Sequence, residues 1–214
     1  RYWRNNVGGS LNLIEAAIGA GCLDVVFSST CATYGDPVRL PMDETHPQAP
    51  LNPYGRSKLM IEQALADYST YAGFRSVSLR YFNAAGADEE GRIGERHHPE
   101  THAIPLAVQT ALGVRQGFKL FGDDYDTRDG TAVRDYVHVC DLAQGHLAAL
   151  TQLLGDRRGF FACNLGAGRG HSVRQVLEAI TAHSGLRLPE AAGARRAGDP
   201  PHLVSDITLA RQEL

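Results

Sequence analysis

A short apolar segment that ends in hydroxyl residues constrains the fold of this chain more than any other feature. Residues 23–28 form a β-rich apolar run, which is typical of a buried strand, and Ser29 and Thr30 follow it. Pro53 then begins a helical pattern that extends to about residue 71. A strand followed by a helix favours a parallel sheet with helices on its faces. The hydroxyls at the strand end are therefore expected in the crevice where such sheets bind ligands.

The rest of the chain continues this alternation, which predicts an α/β fold with a Rossmann-like parallel sheet. Helices are predicted near residues 5–20, 53–71, 104–114, 141–154, 172–183 and 208–214. Strands are predicted at 23–28, 76–83, 133–139 and 160–165, and loops at 36–52, 88–99 and 123–131. Asp141 and Ser172 are expected to cap the helices that they precede. Glu62 falls outside the apolar stripe of its helix, so it is expected on the polar face.

The composition excludes several classes of partner. With 214 residues, 43% of them hydrophobic, and a formal net charge of −3, the chain has no basic surplus to attract nucleic acid or an anionic membrane. No apolar run approaches the ~20 residues of a membrane-spanning helix. The four cysteines form no C-x-x-C pair, which favours reduced thiols and a cytoplasmic protein. We therefore expect neither nucleic acid nor a membrane as a partner.

Tyr54 and Lys58 lie one helical turn apart in residues 52–58 (Asn-Pro-Tyr-Gly-Arg-Ser-Lys) and are the strongest candidates for catalysis. A free tyrosine titrates near ~10, and a lysine beside it lowers that pKa by favouring the phenolate. A phenol tuned in this way can take a proton from an alcohol or a sugar hydroxyl. This spacing is common on helices and often marks a surface tyrosine packed on a lysine. The hydroxyl-rich strand end at 28–30 favours the catalytic interpretation.

Four segments of the chain resemble the extended short-chain dehydrogenase/reductases, and among these the UDP-glucose 4-epimerases. They are 27–35 (Phe-Ser-Ser-Thr-Cys-Ala-Thr-Tyr-Gly), 52–58, 79–83 (Leu-Arg-Tyr-Phe-Asn) and 129–139 (Asp-Gly-Thr-Ala-Val-Arg-Asp-Tyr-Val-His-Val). Residues 164–168 (Asn-Leu-Gly-Ala-Gly) and 195–199 (Arg-Arg-Ala-Gly-Asp) continue the resemblance, which covers nearly the whole chain in order. It implies NAD-dependent epimerisation at C4 of a UDP-hexose through a 4-keto intermediate.

The resemblance also implies a role for each candidate residue. Tyr54 would be the base, Lys58 would lower its pKa and bond the nicotinamide ribose, and Thr30 would hydrogen-bond the sugar 4-hydroxyl. The residues that would contact NAD are Asn5, Ser28, Tyr54, Lys58, Tyr81 and Phe82. The residues that would contact the UDP-sugar are Thr30, Asn83, His102, Ala103, Phe121, Arg134, Arg196, Asp199 and Leu203.

The expected organisation follows from the same resemblance. Residues 1–93 would be the remainder of an NAD-binding Rossmann domain, and residues 94–214 a truncated nucleotide-sugar-binding region with returning strands. The first strands and the glycine fingerprint of the family would precede Arg1, so the chain is expected to be an internal fragment that is inactive by itself. The complete protein would be a homodimer that pairs the helices at 5–20 and 53–71.

Ordinary structural roles compete with some of these assignments. Asn5 could cap a helix, and Thr30 could bond the backbone at its strand end. Arg134 could form a surface ion pair with the adjacent Asp135, which is the commoner fate of neighbouring charges. The surrounding resemblance favours the functional interpretation for Thr30 and Arg134, whereas Asn5 could do both.

Two further motifs are interpreted as structural. The glycines at 166, 168 and 170 do not form G-x-G-x-x-G, so they predict a tight turn rather than a dinucleotide site. His97, His98 and His102 match no standard zinc spacing and have no cysteine beside them, so no metal is expected.

Related activities occur in the same superfamily. The 4,6-dehydratases of the same superfamily place an Asp-Glu pair directly after the strand-end threonine, where this chain has Cys31 and Ala32, so dehydration is disfavoured. A UDP-pentose 4-epimerase acting on UDP-xylose or UDP-arabinose, and an inactive nucleotide-sugar-binding relative, are the alternatives. The intact Tyr54 and Lys58 argue against the inactive relative. Leu203 is intermediate in size at a position implied to limit the sugar pocket, which predicts partial acceptance of UDP-GlcNAc.

Overall fold

Parallel strands form the centre of the computed structural model, which describes residues 1–155, 157–196 and 198–214. The helices are α1 (Gly9–Gly19), α2 (Pro53–Ala72), α3 (Ala103–Ala111), α4 (Val139–Leu154), α5 (Val173–Ser184) and α6 (Thr208–Glu213). The strands are β1 (Asp24–Ser28), β2 (Arg75–Tyr81), β3 (Asn83–Ala85), β4 (Phe118–Phe121), β5 (Val133–His138), β6 (Phe160–Leu165), β7 (Gly170–Ser172), β8 (Glu190–Gly193) and β9 (His202–Leu203). A π-helical turn, Trp3–Gly8, precedes α1.

The main sheet has the order β1-β2-β6, and each neighbouring pair is parallel. Ser28 pairs with Leu79 across the first ladder, and Tyr81 pairs with Leu165 across the second. Because parallel strands point the same way, the residues that follow β1, β2 and β6 meet at one edge of the sheet. The predicted α/β class with a parallel sheet is therefore confirmed.

Helices cover both faces of this sheet. On one face, Ile14 of α1 and Ile61 and Leu65 of α2 pack with Phe74, and all four are buried. On the other face, α4 packs against β1 and β2, and its Leu153 lies among buried residues of β2 and β6. The apolar stripe predicted for α2 is the side of the helix that packs against the sheet.

A second group of strands lies beyond this sheet. β5 pairs with β3 and β9 in parallel and with β7 in antiparallel orientation, while β4 pairs with β8. This pairing sets Asn83 opposite Tyr136 and Arg134 opposite Leu203. The predicted division at residues 93/94 stays a prediction, and β6 pairs with β2 in the main sheet.

Several local predictions are wrong. Asp141 does not cap α4: the helix begins at Val139, and His138 is the N-cap, with Nδ1 accepting from the N–H of Cys140 at 3.2 Å. The strands β4, β7, β8 and β9 escaped sequence analysis because each has only two to four residues, too few for an alternation to be recognised. Ser172, in contrast, caps α5 as predicted.

None of the described helices combines the length and the apolar character that crossing a bilayer requires.

Candidate active site

The start of helix α2 is pressed against the turn that follows β1. Asn52 is the N-cap, and its Oδ1 accepts from the N–H of Gly55 at 2.9 Å. A Cβ at Gly55 would lie 2.3 Å from the carbonyl oxygen of Ala32, so only glycine permits this approach. The helix therefore delivers Tyr54 directly beside the strand end that carries Thr30.

Tyr54, Thr30 and Lys58 lie together at this point. The side chain of Thr30 is buried and lies close enough to Tyr54 to act on the pKa of its phenol. The Lys58 ammonium lies 5.9 Å from the centroid of the Tyr54 ring and donates to the carbonyl oxygen of Ser28 at 2.8 Å. The three predicted catalytic residues thus form one half-buried cluster. The alternative for Thr30 holds as well, because its Oγ1 accepts from the N–H of Ala32 at 3.2 Å.

Burial has the largest effect on the electrostatics of the cluster. Burial is the largest influence on Tyr54 and raises the pKa of its phenol, while the hydrogen bond from Thr30 acts in the opposite direction. Burial also lowers the pKa of Lys58. The expected lowering of the Tyr54 pKa by Lys58 stays a prediction.

The predicted cofactor residues at the strand ends gather around a histidine that the sequence analysis missed. The Oγ of Ser28 lies 2.9 Å from Nε2 of His146, and the Tyr81 ring lies 6.3 Å from the His146 ring. Nδ1 of His146 donates to the carbonyl oxygen of Leu142 at 2.7 Å, which leaves Nε2 to accept from Ser28. His146 lies 118 residues from Ser28, and no local pattern could have connected the two. Phe82 follows Tyr81 and is buried.

Asn5 does not cap the helix, and its expected contact with NAD stays a prediction. It is exposed within the π-helical turn, where its side chain donates to the neighbouring Asn6, so it does not cap the helix. Asn6 instead reaches the active-site helix, donating from Nδ2 to Oγ of Ser57 at 3.1 Å. Ser57 in turn donates to the carbonyl oxygen of Tyr54 at 2.7 Å. Asn5 and Asn6 are adjacent in the sequence, and it is Asn6 that contacts α2.

The predicted substrate residues of the second region form a separate group. Arg134 is buried, and its guanidinium pairs with the carboxylate of Asp199. Asn83 joins this group by donating to the carbonyl oxygen of Asp135 at 3.0 Å. Asp135 is itself buried and does not pair with Arg134, so the surface ion pair that sequence proximity suggested is wrong.

Phe121, Arg196 and Leu203 complete the group. The guanidinium of Arg196 lies 4.0 Å from the centroid of the Phe121 ring, which is stacking distance for a cation on an aromatic face. Leu203 packs against a buried cluster that includes Cys31 and Phe82, next to Thr30. One residue of the predicted segment 195–199, Ala197, lies outside the residues that the structure describes.

His102 and Ala103 are not joined to the other substrate residues by any hydrogen bond or ring contact within the described part of the chain. His102 is exposed at the N-cap of α3, and Ala103 begins that helix.

The structure places His102 close to His97 and Glu100, with their ligand atoms within 4.8 Å of one another. These three side chains are close enough together to bind one metal ion. The carboxylate of Glu100 belongs to the group although the spacing of the histidines gave no indication of it. Both histidines are exposed, and Glu100 already accepts from the N–H groups of Thr101 and His102.

Residues 1–163 match the profile of the NAD dependent epimerase/dehydratase family. The chain belongs to this family. The motif at 52–58 and the strand end at 28–30, which lie together in the structure, fall inside the matched part.

Curated and structurally solved members of this family resemble the chain over its whole length. A UDP-glucose 4-epimerase of Rhizobium leguminosarum bv. trifolii is 58% identical, and the chain spans 65% of its length. The UDP-glucose 4-epimerase of Brucella ovis in complex with NAD has a TM-score of 0.96 at 50% identity; all of this chain and 65% of that chain are covered. The Bifidobacterium longum enzyme in complex with NAD+ and UDP has a TM-score of 0.93 at 39% identity, with 99% and 64% covered.

Because burial raises the pKa of Tyr54, its phenol should titrate later than N-acetyltyrosinamide, whose pKa is about 10. The folded state then keeps its proton to higher pH than the unfolded state, so the stability contributed by this group is lost as the pH rises through the raised value. The measurement is an ultraviolet titration of the phenolate band, with the curve of Tyr54→Phe subtracted from that of the wild type. A difference curve centred below pH 10 would contradict the assignment.

Proposed function

We propose that the complete protein is a UDP-glucose 4-epimerase that interconverts UDP-glucose and UDP-galactose through a 4-keto sugar. The observation that carries this proposal is the cluster of Tyr54, Thr30 and Lys58 at the sheet edge, in a family member whose curated relative is named as this enzyme. The chain spans 65% of that relative, so the activity is assigned to the whole protein and residues 1–214 alone are proposed to be inactive.

The residues at the sheet edge fit NAD as the cofactor. Lys58 has three N–H donors, and within the described residues it uses one, on the carbonyl oxygen of Ser28, which leaves donors for a ribose hydroxyl. Ser28, Tyr81 and Phe82 lie at the ends of adjacent parallel strands, where open α/β sheets bind dinucleotides. When bound, NAD supplies the acceptor and donor of hydride.

The chain itself handles the proton of the reaction. Thr30 and Tyr54 are close enough to hydrogen-bond each other, so both can contact one sugar hydroxyl and orient its proton toward the phenolic oxygen. Tyr54 in its phenolate form would take the proton as the 4-hydroxyl becomes a carbonyl, and it would return the proton after the ketose has rotated in the pocket. The positive charge of oxidised NAD, when bound, would favour the phenolate.

The second region would hold the UDP moiety while the hexose turns. Arg134 and Arg196 offer planar guanidinium groups that suit the paired oxygens of a diphosphate. Asp199 pairs with Arg134 and can accept a hydrogen bond from a ribose hydroxyl. Phe121 supports Arg196 through its ring face. A tightly held nucleotide and a mobile sugar are what epimerisation through a free ketone requires.

Substitution of Tyr54 by phenylalanine in the full-length protein should reduce turnover of UDP-galactose by about 10²–10⁴-fold, because the general base is lost. Tyr68→Phe is the matched control: Tyr68 lies on the same helix, outside the cluster, and contacts Glu15. The measurement is the conversion of UDP-galactose to UDP-glucose, with residues 1–214 assayed in parallel. Full activity of Tyr54→Phe would contradict the mechanism, and a clear preference of the wild type for UDP-xylose would favour a pentose epimerase.

Leu203 should set the tolerance for a 2-acetamido group. We expect the wild type to accept UDP-GlcNAc at a reduced rate, and Leu203→Ala to raise kcat/KM for UDP-GlcNAc relative to UDP-galactose by about tenfold, because the smaller side chain enlarges the pocket. Leu147→Ala, at an exposed position on α4, is the control. Equal rates of the wild type on both sugars, or none on UDP-GlcNAc, would count against this role.

We further propose that the full-length protein is a homodimer joined through α1 and α2. Both helices expose apolar side chains in the described structure: Leu13 is 69% exposed, Met60 46% and Tyr71 86%. Light scattering after size-exclusion chromatography should give the mass of a dimer, and Leu13→Asp with Met60→Lys should shift it toward the monomer because both charges would be buried. Val114→Lys, at an exposed site after α3, should leave the dimer intact. A monomeric wild type would exclude the proposal.

A further inference from the structure

Three successive residues at the end of β1 each contact a different turn of helix α2. The carbonyl oxygen of Ser28 accepts from Lys58, and the Oγ of Ser29 donates to Oε1 of Glu62. The Thr30 side chain lies close enough to Tyr54 to lower the pKa of its phenol. Positions 54, 58 and 62 are four residues apart and therefore lie along one face of the helix. The strand end and this helix face are thus joined by three consecutive side-chain contacts.

Glu62 is buried, which is the reverse of the position expected from its place outside the apolar stripe. Its side chain is 3% exposed, and its carboxylate is held by the guanidinium of Arg80, itself 6% exposed. Arg80 donates from Nε to both carboxylate oxygens at 3.1 Å and from Nη2 to Oε2 at 2.6 Å. A charge in such a place must be paired, so Arg80 fixes where the Glu62 carboxylate can lie.

Arg80 is itself held by a wider buried network. Its Nη1 donates to the phenolic oxygen of Tyr34 at 3.2 Å, and that phenol donates to Oδ1 of Asn164 on β6 at 2.7 Å. The Glu62 carboxylate therefore has a position determined by β1, β2 and β6 together. A helix bonded to such a fixed carboxylate can neither slide nor rotate freely against the strand end.

We propose that Glu62, through its hydrogen bond with Ser29, is a positioning residue that sets the distance between the Tyr54 phenol and the Thr30 hydroxyl. Glu62 itself lies two helical turns from Tyr54 and acts through the helix. The inference rests on the proposed epimerase function, because its readout is the reaction of that base. The contact of Gly55 with Ala32 limits how closely the helix start approaches, and the Glu62–Ser29 bond prevents the same helix from moving away.

The test compares Ser29→Ala with Gln48→Ala in the full-length enzyme. Ser29→Ala removes the bond between the strand end and Glu62 and leaves the ion pair with Arg80 in place. Gln48→Ala is matched to it, since it also removes one donor from the Glu62 carboxylate, at 3.2 Å, but from a loop instead of the strand. Ser29→Thr keeps the hydroxyl. All rates are normalised to the folded fraction obtained from thermal unfolding.

Ser29→Ala should lower kcat for UDP-galactose by about tenfold to a hundredfold with KM within about twofold, as expected for a misplaced reacting group. The acid limb of its pH–rate profile should move to higher pH, because loosening the Thr30 contact removes the hydrogen bond that favours the phenolate. Gln48→Ala should match the wild type, and Ser29→Thr should recover most of the activity.

A wild-type kcat and pH profile in Ser29→Ala, or an equal loss in Gln48→Ala, would overturn the positioning role. An inactive wild-type enzyme would instead refute the proposed function, and the inference would fall with it.

Discussion

The parallel pairing of β1 with β2, and of β2 with β6, determines where the candidate active-site residues lie. Each of these strands ends at the same edge of the sheet, so Ser28, Thr30 and Tyr81 meet there although they are distant in sequence. The turn after β1 is then contacted by the first residues of α2, at a separation that only a glycine at position 55 allows. The proximity of Tyr54 to Thr30 is therefore a consequence of sheet register and of one close backbone contact.

Buried charges fix the parts of the protein relative to one another. Glu62 pairs with Arg80, and Arg134 pairs with Asp199. Asp135 has no basic partner among the described residues; its carboxylate accepts from the backbone N–H groups at positions 167, 168 and 205. Because an unpaired charge in such places is costly, each of these groups restricts the arrangement of the segments that it joins. The bonds from positions 167 and 168 to Asp135 also explain the glycine-rich turn at 166–170 as a structural feature rather than a dinucleotide site.

Residues with local signals were predictable. Ser172 caps α5 with the expected bond to the backbone of Gln175, and the longer strands and the helices lie within a few residues of their predicted limits. Predictions failed where the decisive partner is distant. Glu62 looks solvent-exposed on its helix, and only Arg80, 18 residues away on a neighbouring strand, explains its burial. Likewise the contact of His146 with Ser28 spans 118 residues and leaves no pattern along the chain.

The sequence by itself determined the α/β class, the alternation of strands and helices, and the candidate residues Tyr54, Lys58 and Thr30, because hydrophobic periodicity and motif spacing are properties of short segments. Only the tertiary structure decided the electrostatic state of those candidates. Burial raises the pKa of Tyr54 and lowers that of Lys58, and the extent of burial depends on which distant elements pack around them. The same holds for the pairing of Arg134 with Asp199 instead of Asp135, since the folding of β5 against β9, and not adjacency in the chain, selects the partner.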